Sequence, residues 1–197
     1  MSLNSASASC AVSPTGGWKE RGVSLVLVMI FLVILSGLGI TAIQTSTFSA
    51  RIARNESDRN LAFQAAEAAL RDAENDIFYR RFDQTACSAS TAGCRAEPFE
   101  GLLNFDTACV GGLCDTAGAA AGTVFWETAA IWGAAGASVA YGTHTGAAAL
   151  PVVFRQPRYL IEGFQVGLDG STVYRVTAVG FGANESSQIM LQTAVKP

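Results

Sequence analysis

Hydrophobic and polar positions follow three different rhythms along this chain. From Val23 to Ile43 the stretch VSLVLVMIFLVILSGLGITAI carries no charge and is broken only by Ser24, Ser36, Thr41 and the glycines Gly37 and Gly39. As a helix it reaches roughly 30 Å, the thickness of a bilayer's hydrocarbon core, so it can span a membrane. A secretory signal has an apolar region of about 7–15 residues followed by small residues at a cut site. This run is longer, and the QTSTFSARIARNESDRN that follows offers no such site.

The second rhythm is helical. No Pro or Gly occurs between residues 40 and 92, and Phe63, Ala66, Leu70, Ala73 and Ile77 recur three and four apart as an apolar stripe. Arg59, Gln64, Glu67, Arg71, Asp72 and Glu74 fall on other faces, and Glu67 and Arg71 are spaced for a favourable pair. The pattern predicts one helix from Val23 to about Arg80, roughly 85 Å long by its rise per residue. Residues 23–43 form its membrane-spanning half and residues 44–80 its amphipathic half.

The third rhythm approaches a period of two. RYLIEGFQV, STVYRVTAVGF and SQIMLQTAV are β-branched and aromatic runs separated by GLDG and GAN, which predicts an antiparallel meander over residues 155–197. Its apolar face would cover the helix stripe. The fold class is therefore α+β: one long N-terminal helix packed on a C-terminal antiparallel sheet, with residues 81–197 forming a globular head. Residues 84–150 are rich in small side chains and read poorly. Their aromatics Phe125, Trp126, Trp132 and Tyr141 are expected to pack against the helix stripe, the alternative being a partner-binding surface.

Charge and composition narrow the function. A net charge of −3 over 197 residues, without a basic patch, gives no purchase on nucleic acid. The five cysteines divide as Cys10 before the apolar run and Cys87, Cys94, Cys109 and Cys114 after it, the partition a membrane between reducing and oxidising compartments would produce. That places the head on the periplasmic or outer side. Adjacent pairing, Cys87 with Cys94 and Cys109 with Cys114, is preferred among three connectivities, and crossed pairing stays open. A zinc knuckle has about two to four residues between its ligands; six separate Cys87 from Cys94 and four, the upper limit, separate Cys109 from Cys114, so neither pair fits well and no metal is assigned. His144 stands without a nucleophile, Glu97 and Glu100 form an unremarkable acidic pair, and no catalytic motif or cofactor loop is present, which argues against an enzyme and assigns no cofactor.

An ordinary anchor has no need of a stiff helix that leaves the bilayer and lies along its own head, whereas a filament subunit does. The residues fit that reading. ERGVSLVLVMIFLVILSGLGI followed by NESDRNLAFQAAEAALRDAEND resembles the N-terminal region of PilX-type minor pilins of bacterial type IV pili. RYLIEGFQVG, YRVTAVGFGAN and SQIMLQTAVKP are similar to that family's C-terminal end. The resemblance implies a leader of residues 1–22, cut after Gly22 by a prepilin peptidase that methylates the new amino terminus at Val23. It also implies an inner-membrane precursor with a periplasmic C-terminus, whose apolar half later packs in the filament core.

Pilin-like chains usually carry a glutamate five residues after the cut, and here that position is Leu27. The departure implies a place at or near the pilus tip, in a complex of minor pilins that primes assembly from the major pilin and contacts a large tip adhesin. A pseudopilin of a type II secretion system, or an uncut single-pass binding protein in the periplasm, are the alternatives.

Overall fold

The computed structural model describes residues 23–133, 135–166 and 170–197. One helix, α1, runs from Val23 to Ile77. The chain divides into two compact units, residues 1–50 and 51–197. In the first, residues 23–50 are helical and every side chain is exposed.

The second unit holds the rest of α1 and the head. Tyr79 adopts a left-handed backbone conformation (φ 53°), which stops the helix three residues short of the expected Arg80. The Cys87 amide then donates to the Tyr79 carbonyl at 2.9 Å, and Arg80 bridges Ala86, so the chain folds back at once.

Among the described residues five strands form one sheet: β1 (Leu113–Asp115), β2 (Val139–Ala140), β3 (Arg158–Val166), β4 (Ser171–Phe181) and β5 (Gln188–Val195). The order is β1-β3-β4-β5, with β2 also on β3. The three long strands are the three alternating runs of the sequence, paired antiparallel in unbroken register. The sheet is mostly rather than wholly antiparallel, because β1 pairs parallel to β3, with Leu113 opposite Ile161. Left-handed backbone at Cys109, Gly111 and Gly112 turns the preceding segment into that position.

Alternation along the strands makes two apolar layers. Toward α1 point Tyr159, Ile161, Tyr174, Val176 and Ala178, clustered with Ala69, Ala73 and Ile77 of the helix. Away from α1 point Leu160, Val179 and Phe181, covered by Cys109, Cys114, Phe125 and Trp132, with Trp126 partly buried beside them. This corrects the expected place of three aromatics. The middle of the chain crosses to the far side of the sheet, since strands with apolar residues on both faces need cover on both. Only half-buried Tyr141, whose phenol feels the charge of Asp72, lies toward the helix among the four.

The helix stripe also differs from the expected one. Its buried face is Ala62, Ala65, Ala66, Ala69, Ala73 and Ile77, together with Asp72 and Asp76. Phe63 is not on it and is 41% exposed, Leu70 is only partly buried at the margin of the core, and Asp72, expected on another face, is buried. The reason is the closeness of the approach: a Cβ on Gly180 of β4 would lie inside van der Waals contact of the Ala62 carbonyl and the Ala66 backbone. Between a helix and a sheet so close, methyl groups fit and a phenyl ring does not.

Candidate functional site

The first candidate is the apolar half of α1. Val23 is 67% and Leu27 53% exposed, and the apolar side chains from Leu25 to Ile43 are likewise open. This helix is long and apolar enough to cross a membrane. Three hydroxyls in and just beyond the apolar half are satisfied internally: Ser36 Oγ donates to the Leu32 carbonyl at 2.6 Å, Thr41 Oγ1 to Leu38 at 2.8 Å and Thr45 Oγ1 to Thr41 at 2.9 Å. A hydroxyl bonded to the preceding turn demands nothing from its surroundings, so this surface suits lipid or another apolar helix equally. Gly37 and Gly39 have no neighbouring atom where a Cβ would stand, so both leave open notches on the helix. Gly22 lies outside the described residues, as do Cys10, Lys19, Glu20 and Arg21.

The second candidate is a pair of acids one helical turn apart on the alanine face of α1, both of which join it to the head. Asp76, 2% exposed, accepts from Arg95 through Nε at 2.8 Å and Nη2 at 2.8 Å. It also accepts from the fully buried Tyr159 hydroxyl at 2.8 Å. Arg95 spends its other Nη2 bond on the Gly111 carbonyl at 3.0 Å, so one guanidinium ties the helix to the segment leading into β1. Burial, then the charge of Asp76, raises the Tyr159 phenol well above its ordinary value. It stays a neutral donor.

Asp72, 1% exposed, accepts from the Gly142 amide at 2.8 Å and from the Thr145 hydroxyl. Burial pushes its carboxyl up to about 6; the Thr145 and Gly142 donors oppose this, and the charge of Asp76 adds to it. Adjacent His144 is shifted the other way, below its ordinary value, by burial and then by the charge of Arg95. Between them the two acids accept from Arg95, Tyr159, Thr145 and the Gly142 amide. Their role is to fix the head on the helix.

A pH dependence follows. The folded carboxyl of Asp72 titrates near 6 against 3.8 for the free group, so the folded state holds its proton more tightly. Stability from this group is therefore greatest below about pH 4, falls as pH rises to about 6, and is level above; the difference corresponds to about 3 kcal/mol. Denaturant midpoints of the wild type and Asp72→Asn, compared from pH 4 to pH 7, should show this slope in the wild type and not in the variant.

Cys87 is bonded to Cys94 and Cys109 to Cys114. The first bond closes the loop just after the helix, and the second pins β1 to the turn before it. Asp58 accepts from the Ala183 amide at 2.6 Å and from Asn184 Nδ2 at 3.0 Å, which holds the β4–β5 turn to the helix. On the far face of the sheet, fully buried Glu162 pairs with Arg175 at 2.7 Å. Sequence reading missed all four acids. The signal available was positional: Asp72 and Asp76 fall on the same turns as Ala69, Ala73 and Ile77.

A long N-terminal helix with one exposed apolar half and a mostly antiparallel sheet laid on the other defines a pilin-like α+β arrangement. Comparison of the sequence with protein families agrees: residues 21–71 match PilX N-terminal, and residues 86–197 match Type IV pilus assembly protein PilX C-term. The chain belongs to the PilX family, whose members are minor pilins of type IV pilus assembly and structural components of the pilus. No curated protein and no solved structure matches it.

Proposed function

We propose that this minor pilin acts at the pilus tip, in a complex with other minor pilins that primes polymerisation of the major pilin. The observation that carries the reading is the uncharged, exposed helix half with Leu27 in it. A glutamate in an apolar filament core costs several kcal/mol unless a neighbour's ammonium meets it. A subunit with leucine there offers no carboxylate to the subunit it packs against, which suits the first position better than a repeating one. A role for the head in contacting a large tip adhesin belongs to the same proposal.

The proposal includes the maturation route. The precursor sits in the inner membrane with its C-terminus in the periplasm, a prepilin peptidase cuts after Gly22, and Val23 becomes the methylated first residue. The leader is then residues 1–22, the packing helix begins at residue 23, and the head follows α1. Two disulfides in the head and the fifth cysteine, Cys10, before the apolar run support that orientation.

Intact-mass and N-terminal analysis of membrane-extracted protein is expected to give a chain starting at N-methylated Val23. Deleting the gene should abolish or sharply reduce surface pili, and immunogold label should gather at filament ends. Retention of Met1 to Gly22 would reject the maturation route; label spaced along filaments would reject the tip position.

A further inference from the structure

The two edges of the sheet are treated differently. At one edge β1 has three residues and is fastened through Cys114 to Cys109. At the other edge β5 runs eight residues, QIMLQTAV, without charge, proline or glycine, and pairs with β4 in register from Gln188 to Val195 without a bulge. Exposed edges are normally blunted by short strands, charges, prolines or bulges, because a row of free amides and carbonyls templates another strand. Here the guards stand on one side only, and among the described residues no strand lies beyond β5.

Two cavities flank the face of β5 that points away from α1. The first, about 460 Å³, borders Gln188 and Met190 and is lined by Trp126, Trp132, Arg155 and Val179. Two buried nitrogens of these lining side chains, Trp126 Nε1 and Arg155 Nε, have no acceptor among the described residues. The Arg155 guanidinium lies 4.1 Å over the Phe181 ring, and the nearby charge of Arg158 adds to the positive field. Arg158 spends its donors on Ser138 and the Gly136 carbonyl, and neither arginine has a carboxylate partner among the described residues. Glu127, which also borders this cavity, is exposed to solvent.

The second cavity, about 490 Å³, borders Gln192 and Ala194 and is walled by Phe164, Val166 and Val173. Arg175 at its side is already paired with Glu162. Met190 and Ala194 are four residues apart on one face of the strand, a separation of roughly 13 Å.

We propose that β5 accepts an extended segment of another protein as a sixth strand, with an acidic side chain entering the Trp126/Arg155 cavity and an apolar side chain four residues along entering the Phe164/Val166 cavity. Main-chain hydrogen bonds along the edge supply affinity, and the two cavities supply specificity. The carboxylate provides the acceptor that both orphaned donors lack, and the uncharged outer residues of β5 present nothing that repels the incoming strand. This names a partner class for the head and does not depend on where in the pilus the subunit sits.

The test uses the full chain in detergent micelles and a fluorescent peptide, acetyl-Thr-Glu-Thr-Val-Thr-Val-Thr-amide, followed by anisotropy. Binding is expected, weakened about tenfold when the glutamate becomes glutamine. Arg155→Met should bring both peptides to the same weak affinity. N-methylation of alternate peptide amides discriminates further with the wild-type protein: one alternating set should abolish binding and the other spare it, because an added strand bonds along one edge only. No binding at millimolar peptide would overturn the proposal, as would equal tolerance of both methylated sets. Concentration-dependent dimers that the peptide does not compete would overturn it in favour of a second copy on this edge. Pilus counts in the deletion strain test the tip role separately, so the two readings fail independently.

Discussion

Asp76→Ala is expected to destabilise the head by about 3–5 kcal/mol, the cost of removing one partner from a buried ion pair. The loss is large because two groups are stranded at once. The Arg95 side chain is 12% exposed and its guanidinium was doubly bonded to the carboxylate. The Tyr159 hydroxyl, from a fully buried side chain at the start of β3, has Asp76 as its acceptor. Asp76→Asn keeps the shape and one acceptor and should lose less. Urea unfolding of the full chain in detergent, followed by fluorescence of Trp126 and Trp132, gives both values; equal, small losses would show that the pair contributes little.

Gly180→Val is expected to cost about 3 kcal/mol, the upper end of the usual range for overpacking a core. The added carbons would meet the Ala62 carbonyl and the Ala66 amide and Cα, backbone atoms that cannot swing aside. Because the obstruction is main chain, Ala66→Gly should fail to rescue Gly180→Val and should add the helix cost of glycine, about 1 kcal/mol. Rescue would mean that side-chain volume, not backbone approach, sets the spacing. The same unfolding measurement, with the double variant alongside, decides between them.

Much of the fold could be read from side-chain rhythm alone. The three C-terminal runs became β3, β4 and β5, marked by their β-branched and aromatic residues and the turns between them, although burial alternates only along β5, because β3 and most of β4 are covered on both faces. The absence of Pro and Gly across residues 40–92 allowed a long helix, but its end at Ile77 was set by the left-handed Tyr79, which no residue type announced. The stripe was misplaced by size. Phe63 looked like a core residue and Asp72 like a surface one, yet the close sheet selects the smallest side chains and admits acids that find donors. Those donors, Thr145, the Gly142 amide, Arg95 and Tyr159, come from segments remote in sequence, so no local pattern could reveal them. Residues 84–150 stayed obscure for a related reason. Their order comes from disulfides, tight turns and cover over a sheet face, none of which has a period.

The alanine face of α1 has a mechanical consequence. Methyl groups and a bare glycine have no rotamers to exchange, so a tug along the helix axis finds no soft mode by which the contact could slide and reseat. Tension would accumulate until the acids let go of Arg95, Tyr159 and Thr145 together, and the sheet would part from the rod in one rupture rather than by gradual creep.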